Sequence, residues 1–263
     1  MDLGLKDRVA LVAAASKGLG KATALELARE GARVAICART KKTLETAAAD
    51  IIKSTGGQVL AVVADVSKPD DVERLVQTTA DHWGRLDVLV TNAGGPPAGY
   101  LLDLDDNAWH AAIELTLMSA VRLCRAAVPH MQKNGWGRIV NITSVSVKQP
   151  IDNLLLSNAL RAGVVGLAKT LSNQFAGDGI TVNNVCPGYT RTDRVTELNA
   201  GRARELGIPV QDVEQQVTAN IPLGRMGWPQ ELAALIAFLA SEQAAYITGT
   251  TIQVDGGYVK GLF

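Results

Sequence analysis

Short β-branched runs alternate with longer helical segments along the whole chain, and that rhythm limits the folds open to it. The runs are RVALVAA (8–14), RVAICA (33–38), QVLAVVA (58–64), DVLVTN (87–92), RIVNIT (138–143), ITVNNVC (180–186) and TTIQVD (250–255). Between them the apolar spacing predicts helices near 19–30, 41–54, 69–83, 105–133, 153–176 and 229–240. Strands apolar on both faces and separated by helices imply a parallel sheet covered on both sides. The expectation is a doubly wound α/β fold, whose ligands bind beyond the carboxyl ends of the strands. The 263 residues suffice for one large domain of this kind, and no repeat or linker divides them. Only 190–228 breaks the rhythm: it is polar, carries Arg191, Arg194, Arg202 and Arg204, and is interrupted by Gly201, Gly207, Pro209 and Pro222. A departure that long reads as a lid or binding segment within a single domain spanning 1–263.

Charge and cysteine usage narrow the function. Lys and Arg total 26, as do Asp and Glu, so the chain has no overall electrostatic footprint for nucleic acid or an anionic membrane. Charged residues interrupt every apolar stretch short of the roughly 20 residues a membrane span needs. The N-terminal MDLGLKDRVALV runs directly into the first strand without a small-residue cleavage site, so a cytoplasmic location is expected. Cys37, Cys124 and Cys186 are isolated and read as small buried hydrophobes. His82, His110 and His130 show no metal spacing, and no metal is expected. The expected partner is a small molecule.

After the first strand comes AAASKGLGKATALELAREG, in which Gly18 and Gly20 open a helix directly behind a strand. Glycines there let the backbone approach a pyrophosphate, and the helix N-terminus attracts its charge. The second strand ends in Ala38-Arg39, where an NAD-binding chain would carry an acidic residue for the ribose hydroxyls. With no carboxylate to repel a 2′-phosphate, and with Lys17 and Arg39 available to pair with one, NADP(H) is favoured over NAD(H).

Several segments together resemble the short-chain dehydrogenase/reductase family, and among its members most closely the 3-oxoacyl-thioester (3-oxoacyl-[acyl-carrier-protein]) reductases. They are ASKGLG (15–20), ADV (64–66), TNAG (91–94), NITS (141–144), CPGYTRT (186–192) and ITGTTIQVDGG (247–257), in the family's order and spacing. The resemblance implies a Rossmann fold with a seven-stranded parallel sheet flanked by helices. It also implies a nicotinamide cofactor, hydride exchange with a carbonyl or alcohol carbon, and a homo-oligomer, tetramer or dimer. It assigns Ser16, Lys17, Gly18, Leu19 and Gly20 to the phosphate loop, and Asp65 and Val66 to the adenine. Asn92, Ala93 and Gly94 fall to the adenosine ribose side, and Pro187, Gly188 and Thr192 to the nicotinamide carboxamide.

The catalytic positions match less well. The family uses an Asn in the long helix, a Ser after the fifth strand, and a Tyr followed four residues later by Lys. Ser144 fits the serine, but Thr116, Ser157 and Arg161 stand at the other three positions, and Ala14 replaces the first glycine of the phosphate loop. A phenol can be lowered from about 10 by a nearby cation until it exchanges protons near neutrality, which an aliphatic hydroxyl cannot. Arg161 keeps the positive charge for the nicotinamide ribose but does not release protons. Losing a general acid costs roughly 10²- to 10⁴-fold in rate. Groups placed to replace it are Tyr189, Tyr100, Lys148, Asp152, or a water held by Ser144, Ser157 and Thr116. The arginines of 190–204 can bind an anionic substrate tail, but their alternation with Asp193, Glu197 and Glu205 reads as a solvated helical face. Two functions follow: an atypical NADP(H)-dependent carbonyl reductase, or a cofactor-binding sensor or structural subunit with little turnover.

Overall fold

The computed structural model describes residues 1–262. Seven parallel strands form one sheet in the order β3-β2-β1-β4-β5-β6-β7. They are β1 (Val9–Val12), β2 (Arg33–Ala38), β3 (Val59–Val63), β4 (Val88–Thr91), β5 (Gly137–Ile142), β6 (Ile180–Pro187) and β7 (Thr251–Val254). Order reverses between β1 and β4, and at such a switch point the loops leaving two neighbouring strands part and open a crevice.

Period-2 alternation sends successive strand residues to opposite faces, and both faces are buried. Ala10, Val12, Val88, Val90, Val140 and Ile142 pack into one core with α1 (Gly18–Arg29), α2 (Lys41–Thr55) and α9 (Pro229–Leu239). Val9, Leu11, Leu89 and Ile139 pack into the other with α3 (Pro69–Trp83), α5 (Ser119–Asn134) and α6 (Leu155–Phe175). Helix α3 shows why these boundaries are sharp. Pro69 occupies the first turn, Asp70 and Asp71 complement the helix dipole, and Gly84 ends it in the left-handed conformation.

Two regions differ from the sequence expectation. The single helix expected over 105–133 is α4 (Asp106–Ala112) and α5 joined by a π-helical segment, Ile113–Met118. Such wide turns recur at functional sites because they re-aim side chains, and Thr116 lies in this one. The irregular stretch expected over 190–228 contains α7 (Asp193–Leu206) and α8 (Val210–Ala219). Thr192 caps α7 by accepting from the Val195 N–H, and Gly207 ends it with φ +65°. The segment has its own small core of Ala203, Val213, Val217, Ile221 and Met226. Its ends are tied at a neck, where Arg191 N–H donates to Gly227 O (2.9 Å) and Gly227 N–H to Tyr189 O (2.9 Å). No described helix is long and apolar enough to cross a membrane.

Candidate active site

The phosphate loop is shaped by backbone constraints. Gly18 has φ +57°, and a Cβ on Gly20 would lie 2.5 Å from Ala14 O and 2.9 Å from Ala15 Cα, so a side chain there displaces the loop. Ala14 also sits in the left-handed region at φ +48°, a conformation that costs a non-glycine residue about 1–2 kcal/mol. Asn92, at the end of β4, holds this turn by donating from Nδ2 to Ala13 O and Ala14 O (both 3.2 Å). No side chain caps α1, and its first turn has no acidic residue, so its N–H groups stay available to an anion. Leu19 packs into the core beneath the loop, and Ser16 is half-buried within it.

The other cofactor candidates ring this loop. Asp65 forms a turn in which one carboxylate oxygen accepts from Ser67 N–H (3.0 Å) and Ser67 Oγ (2.8 Å). Val66 is buried beside it, Gly94 is exposed, and Ala93 lines the cleft. Pro187 ends β6, and Gly188 N–H donates to Val254 O (3.0 Å). A methyl of Thr192 lies over Gly18, 3.5 Å from where its Cβ would be. Lys17 and Arg39 differ from the expected joint pair. Arg39 is exposed and unpaired among the described residues, whereas Lys17 is ion-paired with Asp193 on α7 at 2.9 Å.

Of the catalytic positions, Thr116 and Arg161 line a cleft at the carboxyl ends of β4 and β5, together with Thr91, Asn92, Ala93 and Thr143; Ser157 reaches it through Arg161, and Ser144 follows the lining residue Thr143. Arg161 is fixed by three donations: Nη1 to Thr143 O (3.0 Å) and Ile142 O (3.2 Å), and Nε to Ser157 Oγ (3.1 Å). Its expected ribose contact is therefore limited to Nη2, since the rest of the guanidinium is turned onto the end of β5. Burial, and then the like charge of Arg194, push its pKa down to about 10, which still leaves it cationic at neutral pH. Ser157 Oγ accepts from Arg161 Nε, and its own hydrogen is left to donate elsewhere. Ser144 Oγ accepts from Ser146 N–H at 3.1 Å. Thr116 Oγ1 is buried without a partner among the described residues. The enclosed part of the cleft measures about 20 Å³, room for one water.

Among the candidate proton donors, Tyr189 moves the wrong way. Burial and the neighbouring Tyr258 push its phenol up to about 12, and the two rings pack edge to face at 5.3 Å. Tyr100 is 60% exposed, and Asp152 is exposed on its loop. Cys37, Cys124 and Cys186 are all buried, and Cys186 Sγ lies 3.1 Å from Thr143 Oγ1 beside the cleft. No three His, Cys, Asp or Glu side chains converge as a metal site among the described residues. Arg194 is the residue that sequence reasoning misplaced. It does not belong to a solvated face: Nη2 donates to Pro96 O (2.7 Å), and the guanidinium lies over Gly95 in the loop leaving β4. Its position two residues beyond CPGYTRT was the available signal.

Comparison with known proteins places this geometry. A family model described as "Enoyl-(Acyl carrier protein) reductase" matches residues 13–259. A 3-oxoacyl-[acyl-carrier-protein] reductase of Synechocystis sp. is 42% identical over 257 residues, 97% of this chain and 98% of that one. "Dehydrogenase/reductase SDR family member 4" of Oryctolagus cuniculus is 34% identical, covering 96% of this chain and 94% of the relative. The chain belongs to the short-chain dehydrogenase/reductase family. Within that family its fold is similar to the L-sorbose reductase of Gluconobacter frateurii, solved as a complex with NADPH and L-sorbose. The two superpose with a TM-score of 0.95 over 100% of both chains at 33% identity.

Proposed function

We propose that the protein is an NADPH-dependent reductase of a carbonyl substrate, with the 3-oxoacyl-thioester reductases as its nearest functional type. The observation that carries this reading is the intact anion cradle, with Gly18 and Gly20 in the turn and α1 uncapped behind it. Arg39, exposed at the end of β2 and unpaired among the described residues, supports NADPH, as does the reductase solved with it. Lys17 stays with Asp193, so Arg39 is the cation left to meet the 2′-phosphate. The segment 190–228, hinged at its neck, acts as a lid over the substrate.

When bound, the nicotinamide supplies the hydride. Ser144 and Ser157 bond the carbonyl oxygen, and the Arg161 guanidinium stabilises the negative charge that develops there. Thr116 holds a water in the enclosed part of the cleft, and that water carries the proton the absent tyrosine would have given. Solvent protons replace a built-in acid, so turnover is expected about 10²- to 10⁴-fold below that of an intact tetrad.

A second reading, cofactor binding without turnover, is favoured by one observation: Tyr189, the phenol at the lid neck, is raised rather than lowered. Titration with NADPH and NADH, followed by deuteride transfer from 4-deuterated NADPH into a carbonyl panel, separates the two. Tight NADPH binding with deuterium in the product supports the reductase. Binding without transfer leaves the second reading.

A further inference from the structure

Fifteen arginines occur in the chain, and their surroundings set two apart. Arg8, Arg29, Arg33, Arg74, Arg85, Arg122, Arg138 and Arg225 each have a carboxylate within 4.0 Å. Arg39, Arg125, Arg191, Arg202 and Arg204 are exposed to solvent. Only Arg161 and Arg194 are partly buried with no carboxylate partner among the described residues. A guanidinium withdrawn from water normally acquires an anion, because its desolvation is otherwise uncompensated.

Both guanidiniums lie at the same end of adjacent strands. Arg161 is tied to the last carbonyls of β5, and Arg194 clamps the loop leaving β4. Burial first, and then the like charge of Arg194, lowers the pKa of Arg161. Asp193, next to Arg194 in sequence, does not neutralise them, since Lys17 holds it. Glu205 is engaged with Asn153 Nδ2 at 3.4 Å. Arg194 uses only Nη2 within the protein, which leaves Nε and Nη1 for a ligand. Thr116, whose buried hydroxyl has no partner among the described residues, lines the cleft beside Arg161.

We propose that Arg194, together with Arg161, receives a carboxylate of the substrate, so that the protein reduces an oxo acid rather than a neutral carbonyl compound. The proposal rests on the reductase reading. A carboxylate fits the planar fork of Arg194 through charge-assisted hydrogen bonds and relieves the repulsion between the two cations. Hydride from NADPH adds to the oxo carbon, the carbonyl π pair moves to oxygen, and that oxygen takes a proton from water. The products are a hydroxy acid, NADP⁺ and hydroxide, which solvent neutralises.

The test uses the full chain with NADPH and three matched pairs: pyruvate, acetoacetate and levulinate against their methyl esters. Calorimetry of the corresponding hydroxy acids and esters on the NADP⁺-saturated protein supplies a readout independent of turnover. At least one acid is expected to bind, and to turn over by kcat/KM, about tenfold or more better than its ester. Arg194→Gln removes that preference while leaving NADPH affinity unchanged, and Arg194→Lys retains part of it. Equal handling of acids and esters overturns the proposal and leaves the reductase reading intact. So does an Arg194→Gln protein whose NADPH affinity falls while the acid preference persists, which assigns Arg194 to the cofactor phosphates. Absence of NADPH binding together with absence of turnover on all six compounds refutes the reductase reading, and this proposal with it.

Discussion

Replacing Arg161 with alanine tests how far a catalytic position has become structural. In this fold the guanidinium donates to two backbone carbonyls at the end of β5 and to Ser157 Oγ. Hydrogen bonds to charged groups contribute about 1.5–3 kcal/mol each, and a buried acceptor left without a donor costs about 1–3 kcal/mol. The cleft beside Arg161 is open at one side, with about 280 Å³ of free space including its mouth, so water can reach part of what the side chain leaves. A net loss of about 2–4 kcal/mol follows for Arg161→Ala. At roughly 2–4 °C per kcal/mol for a chain of this size, the melting point should fall by about 5–15 °C. Urea unfolding followed by circular dichroism measures the first figure, and thermal scanning the second. Arg161→Lys should recover the charge but not the stability, since one ammonium cannot span Ile142 O, Thr143 O and Ser157 at once. A loss below about 1 kcal/mol for Arg161→Ala would refute the reasoning, because the carbonyls would then be served without the arginine.

Gly20→Ala places a methyl within 2.5 Å of Ala14 O, and overpacking of this kind costs about 1–3 kcal/mol; NADPH affinity should fall at least tenfold, and unchanged calorimetric binding would contradict the tight loop. Burial holds the Cys37 thiol up at about 11 and Cys124 at about 12 and raises Cys186 as well, so none should react with a disulfide reagent at pH 8 until denaturant is added. Glu231 is lowered to about 2, first by its hydrogen bonds to Arg225 and then by the Trp228 N–H. Its contribution is therefore present above the ordinary pKa near 4.5 and is lost as pH falls toward 2, and solvent screening of this exposed pair keeps it small. The melting-point gap between wild type and Glu231→Gln should then shrink from pH 6 to pH 3, and an equal gap at both values would show that the pair contributes nothing.

Local rules carried much of this fold. Pro69, the acidic pair after it and Gly84 delimit α3 within fifteen residues, and the expected and observed spans coincide at 69–83. The central runs of β1, β2 and β4 were equally legible, because burial on both faces leaves them almost wholly apolar. The π-helical turn was not, since a widened turn costs one hydrogen-bond register and leaves the apolar period nearly unchanged. In 190–228 the cap Thr192 and the stop Gly207 were visible, but the polar composition outweighed them. Arg194 failed for a different reason. Its partner, Pro96, lies 98 residues away, and no local pattern reports a contact made by folding. Lys17 and Asp193 are hidden in the same way, whereas Ser157 and Arg161, one helical turn apart, could be paired from spacing alone.

The contact between Lys17 and Asp193 has a kinetic consequence. It joins the turn that grips phosphates to the first residue of α7, so departure of the dinucleotide past α7 is expected to break this ion pair. An exposed ion pair of about 1 kcal/mol slows that departure by no more than roughly fivefold, and salt screens it. Raising ionic strength should therefore shorten the dwell time of the oxidised coenzyme while leaving the hydride step untouched.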